Sequence, residues 1–162
     1  MPGIAVAGLM ILNQQRRVAV SMGLLGRFLS RARRALRLPA GSLTVCLVTD
    51  AQMARWNSAY RAKPGPTDVL SFPAETQQLR RRKRAGKRQR QGRPSSASYL
   101  GDIAIAPAVA RRNARRFGRS FNDEMRILLL HGMLHLMGYD HETDTGQMDR
   151  REQRLRRTLG LA

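Results

Sequence analysis

Two patterns of apolar positions alternate along this chain, and they predict strands and helices in turn. Short runs that are rich in apolar and β-branched residues predict four strands, at residues 8–12, 43–48, 68–72 and 102–106. Turn-forming residues interrupt the pattern between the runs. The chain therefore contains enough short strands for one small sheet.

Between the strands, apolar residues recur at intervals of three and four positions, as on one face of an α-helix. This spacing predicts five helices, at about residues 20–36, 50–60, 107–117, 121–137 and 144–159. Several helix starts carry recognisable signals. Asp50 is a suitable N-cap, Pro107 suits a first turn, and Ser120 with Asp123 resembles a capping box.

Four strands that are mostly separated by helices predict an α+β (layered α/β) fold, with one mixed four-stranded sheet and about five helices. A chain of 162 residues is long enough to bury a sizeable core, and this length suits one domain. We therefore expect residues 1–162 to form a single domain.

The chain is strongly basic. It contains 30 lysines and arginines against 11 acidic residues, which gives a net charge of +19, and its isoelectric point is about 11.8. This balance is typical of proteins that bind nucleic acids. The alternatives are a solvated basic surface without a specific partner and a surface attracted to membrane headgroups.

The sequence favours a cytoplasmic protein without a membrane partner. No apolar run reaches the length of a spanning helix. The apolar residues 4–12 lack the basic region that precedes the core of a signal peptide. The single cysteine, Cys46, cannot form an internal disulfide, which is consistent with a reducing compartment.

One segment, residues 76–98, departs from both apolar patterns. It holds nine lysines and arginines and no acidic residue, and it otherwise consists mainly of glutamine, serine and glycine. Such a segment has little to bury and repels itself, so we expect a disordered insertion that projects from the domain. It is either an arm that grips RNA or a solvated loop that the fold tolerates.

All three histidines of the chain lie within eleven residues, as His131, His135 and His141. Residues four apart lie on one face of a helix, so the first two can direct their imidazole nitrogens at one point. Gly138 permits a left-handed turn that would bring the third histidine round. Three nitrogen ligands leave one tetrahedral position open, as in catalytic zinc sites, so the spacing predicts one zinc ion at these side chains.

The same histidine spacing occurs in zinc proteases whose pattern is HExxHxxGxxH. Those enzymes use a glutamate beside the first histidine as the general base. In this chain that position is Gly132. The metal geometry is therefore kept and the peptidase base is missing, although a metallopeptidase or another zinc hydrolase stays open as an alternative function.

Several segments together resemble one family. Residues 131–141, HGMLHLMGYDH, resemble the signature of the YbeY family of metal-dependent endoribonucleases. Residues 57–61 (NSAYR) and 66–73 (PTDVLSFP) are similar to its second block, and residues 100–103 (LGDI) are similar to its third. Further matches to the family pattern are Glu124, Met148 and Glu152. The first 40 residues and the long basic segment 76–98 depart from that pattern.

The resemblance implies a zincin-like domain that acts as an endoribonuclease in the maturation of ribosomal RNA, notably at the 3′ end of the small-subunit RNA, and in ribosome quality control. It implies that His131, His135 and His141 are the zinc ligands and that Arg61 is a catalytic residue. The implied partners are single-stranded RNA and the ribosome or ribosomal proteins, with no small-molecule cofactor. Phosphodiester cleavage develops negative charge, which a Lewis acid and the planar fork of an arginine can stabilise.

A non-catalytic basic RNA-binding module for ribosome assembly is the third candidate function. Asp140 is a candidate for orienting an imidazole, and Thr67, Asp68 and Ser71 are candidates for lining a cleft. Aromatic residues make up only 5% of the chain, too few to predict a base-stacking surface. We therefore expect RNA to be held by cleft shape and phosphate contacts.

Overall fold

The structure, a computed structural model, describes residues 4–6, 9–74 and 99–161, so the predicted basic insertion at 76–98 lies outside the described residues. The described strands are β1 (Ile4–Val6), β2 (Leu9–Asn13), β3 (Leu43–Leu47), β4 (Val69–Pro73) and β5 (Gly101–Ile105). The described helices are α1 (Met22–Ala35), α2 (Asp50–Arg61), α3 (Pro107–Arg116), α4 (Phe121–Leu136) and α5 (Gln147–Leu159). None of these helices is both long and apolar enough to cross a membrane.

The strands form one mixed sheet in the order β1-β2-β3-β5-β4. The three central strands are parallel, and both edge strands, β1 and β4, run antiparallel to their neighbours. Ile103 of β5 lies opposite Val45 of β3 on one side and opposite Ser71 of β4 on the other. The predicted α+β class is confirmed, and all four predicted strands are present. The three-residue β1 is an additional strand, which the apolar pattern did not separate from β2.

Side chains alternate between the two faces of the sheet, and the helices cover these faces unequally. Val45 and Ile103 belong to the main core, which the sheet forms with α1, α4 and α5. Leu70 and Ala104 point to the opposite face, where they pack with Met53 of α2. The structure therefore has a large helical layer on one face and α2 on the other.

Two helix starts differ from the prediction. Thr49, not Asp50, caps α2, because its backbone is extended and its hydroxyl accepts a hydrogen bond from the Gln52 N–H at 3.2 Å. The last helix begins at Gln147 rather than near residue 144. Its first turn is still held by Asp144, whose carboxylate accepts hydrogen bonds from three backbone N–H groups at 2.7, 3.1 and 2.8 Å.

Helix α4 is the element that places the candidate site. Its start is capped as predicted, since the Ser120 hydroxyl accepts a hydrogen bond from the Asp123 N–H at 3.0 Å. Ten of its 16 residues are buried, which marks it as a core helix. Each fully buried leucine, such as Leu129 or Leu130, stabilises the fold by about 1.5–3 kcal/mol. A helix anchored this firmly fixes the side chains of its last turns.

Candidate metal centre

The last turns of α4 bring two histidines together. His131 and His135 lie one helical turn apart, and their Nε2 atoms are 3.0 Å from each other. The centroids of the two rings are 4.6 Å apart, and the rings are inclined at 74°. Both nitrogens therefore face one point, as expected for residues four apart on a helix.

A turn after α4 brings the third histidine, His141, to the other two. Gly138 has φ 102°, in the left-handed region that favours glycine, and the Tyr139 N–H donates to the carbonyl of Leu134 at 3.1 Å to close the helix end. The chain then returns so that the ring of His141 stacks on that of His131, with centroids 5.0 Å apart. One ligand nitrogen from each of the three histidines lies within 4.8 Å of the other two.

Two carboxylates of α5, those of Glu152 and Asp149, contact the Nδ1 atoms of two of the histidines. Oε2 of Glu152 accepts a hydrogen bond from the Nδ1–H of His131 at 2.9 Å, and Oδ1 of Asp149 lies 3.2 Å from Nδ1 of His141. A carboxylate on one imidazole nitrogen fixes the tautomer and leaves the other nitrogen free to bind a metal. In the sequence, Glu152 is recognisable only as a match to the family pattern, and no spacing along the chain assigns either carboxylate to a histidine.

The electrostatics of the cluster favour a neutral imidazole at His135 and an ionised carboxylate at Glu152. Burial lowers the pKa of His135, and the neighbouring His131 and His141 lower it further. Burial raises the pKa of the Glu152 carboxyl, but the hydrogen bond with His131 and the charge of Arg156 outweigh burial and leave that pKa below its usual value. Neutral imidazole is the form that binds a metal ion.

The donor set fits zinc. Zinc in proteins commonly takes imidazole nitrogens at about 2.0–2.1 Å in tetrahedral geometry, which places two such nitrogens roughly 3.4 Å apart. The Nε2 atoms of His131 and His135 are near this separation. His141 is exposed, and its ligand nitrogen lies within 4.8 Å of those of the other two histidines. Three histidines can thus hold one zinc ion and leave a fourth position open.

Gly132, between the two helical histidines, is required by packing. A Cβ atom at this position would lie 2.8 Å from Cγ2 of Ile103 on β5, closer than real Cβ contacts allow. The carbonyl oxygen of Gly132 also accepts a hydrogen bond from the Ser71 hydroxyl on β4, at 3.1 Å. Close contact with the sheet therefore leaves no room here for the glutamate of a zinc peptidase.

Arg61 lies at the end of α2 and is exposed. The adjacent Tyr60 meets the ring of Phe72 on β4, with centroids 5.0 Å apart, on the sheet face opposite α4. Helix α4, which carries two of the histidines, and α2, which ends at Arg61, therefore lie on opposite faces of β4, an edge strand. The structure brings the three histidines together and places Arg61 at the end of the helix on the opposite face of the sheet.

Three other candidate residues, Asp140, Thr67 and Asp68, make hydrogen bonds that hold turns and strand ends. Asp140 accepts a hydrogen bond from the Glu142 N–H at 3.0 Å within the turn. Asp68 accepts a hydrogen bond from the side-chain amide of Asn113 at 2.9 Å and lies 3.3 Å from the hydroxyl of Thr67. These contacts stabilise the turn after α4 and the start of β4.

Comparison with known proteins agrees with these observations. The family profile described as endoribonuclease YbeY matches residues 11–160 of this chain. Two relatives named endoribonuclease YbeY are similar to it. The protein of Koribacter versatilis is 36% identical over 152 residues, 94% of this chain and 86% of that protein. The protein of Nautilia profundicola is 40% identical over 119 residues, 74% of this chain and 73% of that protein.

A solved structure shares the fold. The solution structure of TM1509 from Thermotoga maritima has a TM-score of 0.58 and 24% identity to this chain, and the match covers 93% of this chain and 88% of that one. The extent of the profile match, the two relatives and the histidine signature at the end of α4 lead to one conclusion: the chain belongs to the endoribonuclease YbeY family.

Proposed function

We propose that this protein is a zinc-dependent endoribonuclease that cleaves single-stranded RNA. The proposal is carried by one observation, the convergence of His131, His135 and His141 in front of two carboxylates, in a chain of this family. The three histidines are the proposed zinc ligands, and Arg61 is the proposed catalytic residue.

A zinc ion at the histidines supplies a Lewis acid for the negative charge that develops on phosphoryl oxygens during phosphodiester cleavage. The protein orients the ligands, since Glu152 and Asp149 hold the Nδ1 sides of His131 and His141. Arg61 offers a planar guanidinium that can donate two hydrogen bonds to one phosphate.

The charge of the surface supports RNA as the substrate. Exposed arginines on α1, α3 and α5 are Arg27, Arg31, Arg34, Arg111, Arg112, Arg115, Arg116, Arg150, Arg154 and Arg157. Contacts from such side chains to phosphates give affinity without reading the base sequence. We therefore propose that the ribosome or ribosomal proteins select the site of cleavage. The process is maturation of the 3′ end of the small-subunit ribosomal RNA and ribosome quality control, in the cytoplasm.

The test combines metal content with cleavage. The purified protein should hold about one zinc ion per chain and cleave an end-labelled, single-stranded ribosomal RNA fragment. The double variant His131→Ala/His135→Ala should lose both properties. Stoichiometric zinc in the double variant would overturn the ligand assignment. Zinc binding and RNA binding without cleavage would favour a non-catalytic assembly factor, and zinc-dependent cleavage of a peptide would favour the peptidase alternative.

A further inference from the structure

A cluster of buried charges lies beside the histidines and extends between α4 and α5. Two of its members are carboxylates that are almost fully buried: Glu152 of α5 is 5% exposed and Glu124 of α4 is 2% exposed. An ionised carboxylate in such a place requires hydrogen bonds or a cation to balance its charge. The cations in this cluster are Arg156 and Arg119.

Glu152 uses its two oxygens for different partners. Oε2 accepts the hydrogen bond from Nδ1 of His131 at 2.9 Å, and Oε1 accepts one from the guanidinium of Arg156, one turn later on the same helix. The Arg156 side chain is 29% exposed, so water screens this ion pair only in part. Arg156 therefore binds one oxygen of the Glu152 carboxylate, and the other oxygen binds the imidazole of His131.

Arg156 also acts on the second buried carboxylate. Burial raises the pKa of Glu124, and the positive charges of Arg119 and Arg156 oppose this effect. Arg119 lies 3.2 Å from Oε2 of Glu124. Positive and negative groups thus alternate from Arg119 through Glu124 and Arg156 to Glu152, which accepts the hydrogen bond from His131.

We infer that Arg156 is a positioning residue, which fixes the carboxylate of Glu152 so that Glu152 orients His131 toward the metal. The inference rests on the proposed zinc site. The planar guanidinium suits this task because its direction constrains the carboxylate plane, whereas an ammonium group acts as a point charge. Partners one step beyond the ligands change metal affinity by roughly 10–100-fold when they are removed. We expect a loss of about 10-fold for Arg156, which acts through Glu152.

The test compares two neighbouring arginines in the full-length protein. Arg156→Met removes the guanidinium and keeps an apolar stem, and Arg157→Met makes the same charge change at an exposed position of the same helix. Zinc affinity is measured by competition with a chromophoric chelator, and the absorption spectrum of the cobalt-substituted protein reports ligand geometry. Arg156→Met should bind zinc about 10-fold more weakly with an altered cobalt spectrum, and Arg157→Met should match the wild type in zinc affinity and cobalt spectrum. Equal affinities and spectra for the two variants would overturn the inference.

A double-mutant cycle separates positioning from a general loss of stability. If Arg156 acts through Glu152, Arg156→Met should add little to the loss of zinc affinity already caused by Glu152→Gln. Additive losses would show that Arg156 acts independently of Glu152 and would overturn the inference. Should Arg156→Met fail to fold, judged by circular dichroism, Arg156→Lys keeps the charge, and zinc affinity equal to wild type in that variant would contradict a role for the guanidinium.

Failure of the proposed function and failure of the inference on Arg156 give different results. A wild-type protein that binds no zinc or cleaves no RNA would remove the proposed function itself. If the wild-type protein binds zinc and cleaves RNA, and Arg156→Met has no effect on zinc binding, only the role of Arg156 is contradicted.

Discussion

Nδ1 of His131 on α4 lies 2.9 Å from Oε2 of Glu152 on α5. This contact joins two helices that are separated by the turn carrying the third histidine. The orientation of His131, the first proposed ligand, therefore depends on how α5 packs against α4 as well as on α4 itself.

The two carboxylates behind the histidines should contribute unequally to zinc binding. The Glu152 side chain is 7% exposed, whereas that of Asp149 is 64% exposed and its pairing with His141 competes with water. We expect Glu152→Ala to weaken zinc binding roughly 10–100-fold and Asp149→Ala to weaken it much less. Chelator competition measures both, with the exposed neighbour Gln153→Ala as a control. A larger loss for Asp149→Ala than for Glu152→Ala would contradict this expected order.

Arg61 should affect the rate of cleavage more than the affinity for RNA. If its guanidinium stabilises charge that develops in the transition state, Arg61→Ala lowers kcat and leaves RNA binding nearly unchanged. Arg61→Lys should rescue little, because the fork geometry is lost. Single-turnover cleavage and filter binding give the two constants, and Arg55→Ala, exposed on the same helix, is the matched control. Parallel losses in affinity and rate would make Arg61 an ordinary phosphate contact.

The basic insertion should contribute affinity that depends steeply on salt. Nine cations can neutralise several phosphates, and this contribution is insensitive to base sequence. Deleting residues 79–93, or replacing the nine cations with glutamine at constant length, should flatten the slope of log affinity against log salt. Zinc content and cleavage at saturating RNA should persist. Identical salt slopes for wild type and both variants would show that this segment does not contact the RNA.

Gly132 should tolerate even a methyl group poorly. The added Cβ would meet Ile103 at 2.8 Å, and overpacking of this kind costs about 1–3 kcal/mol, partly offset by the helix preference for alanine of about 1 kcal/mol. We expect Gly132→Ala to lower the free energy of unfolding of the zinc-free protein in urea. Ile103→Ala removes the colliding atoms, so adding Gly132→Ala to that variant should cost nothing further. A neutral or stabilising Gly132→Ala in the wild-type background would show that the helix can move away from β5.

The sequence predicted those parts of the site that depend on local geometry. His131 and His135 share a helix face because they are four residues apart, and the turn at Gly138 follows from the conformational freedom of glycine. The positions of Glu152 and Asp149 could not be predicted in the same way. Their contacts with histidines depend on the packing angle between α4 and α5, which spacing along the chain does not determine.

For the sheet, too, the sequence predicted the local elements but not their long-range arrangement. The apolar runs located β2, β3, β4 and β5 to within one residue at each end, because burial selects apolar side chains locally. The order β1-β2-β3-β5-β4 arises from long-range pairing, which no local run encodes. The cap at Thr49 was missed because threonine and aspartate are both good caps, and only the backbone conformation distinguishes them.

The pairing of β4 with β5 has a consequence for how such a protein can diversify. Pro73 lies opposite Gly101, and the N–H of Ala74 donates to the carbonyl of Leu100 at 2.9 Å, so the chain departs from and returns to the sheet at neighbouring points. With both ends fixed, each doubling of the connecting length costs only about 0.6 kcal/mol of closure entropy. The length and charge of this connection can thus change in evolution while the histidine cluster stays intact, so any partner contacts made by the connection can change separately from the metal site.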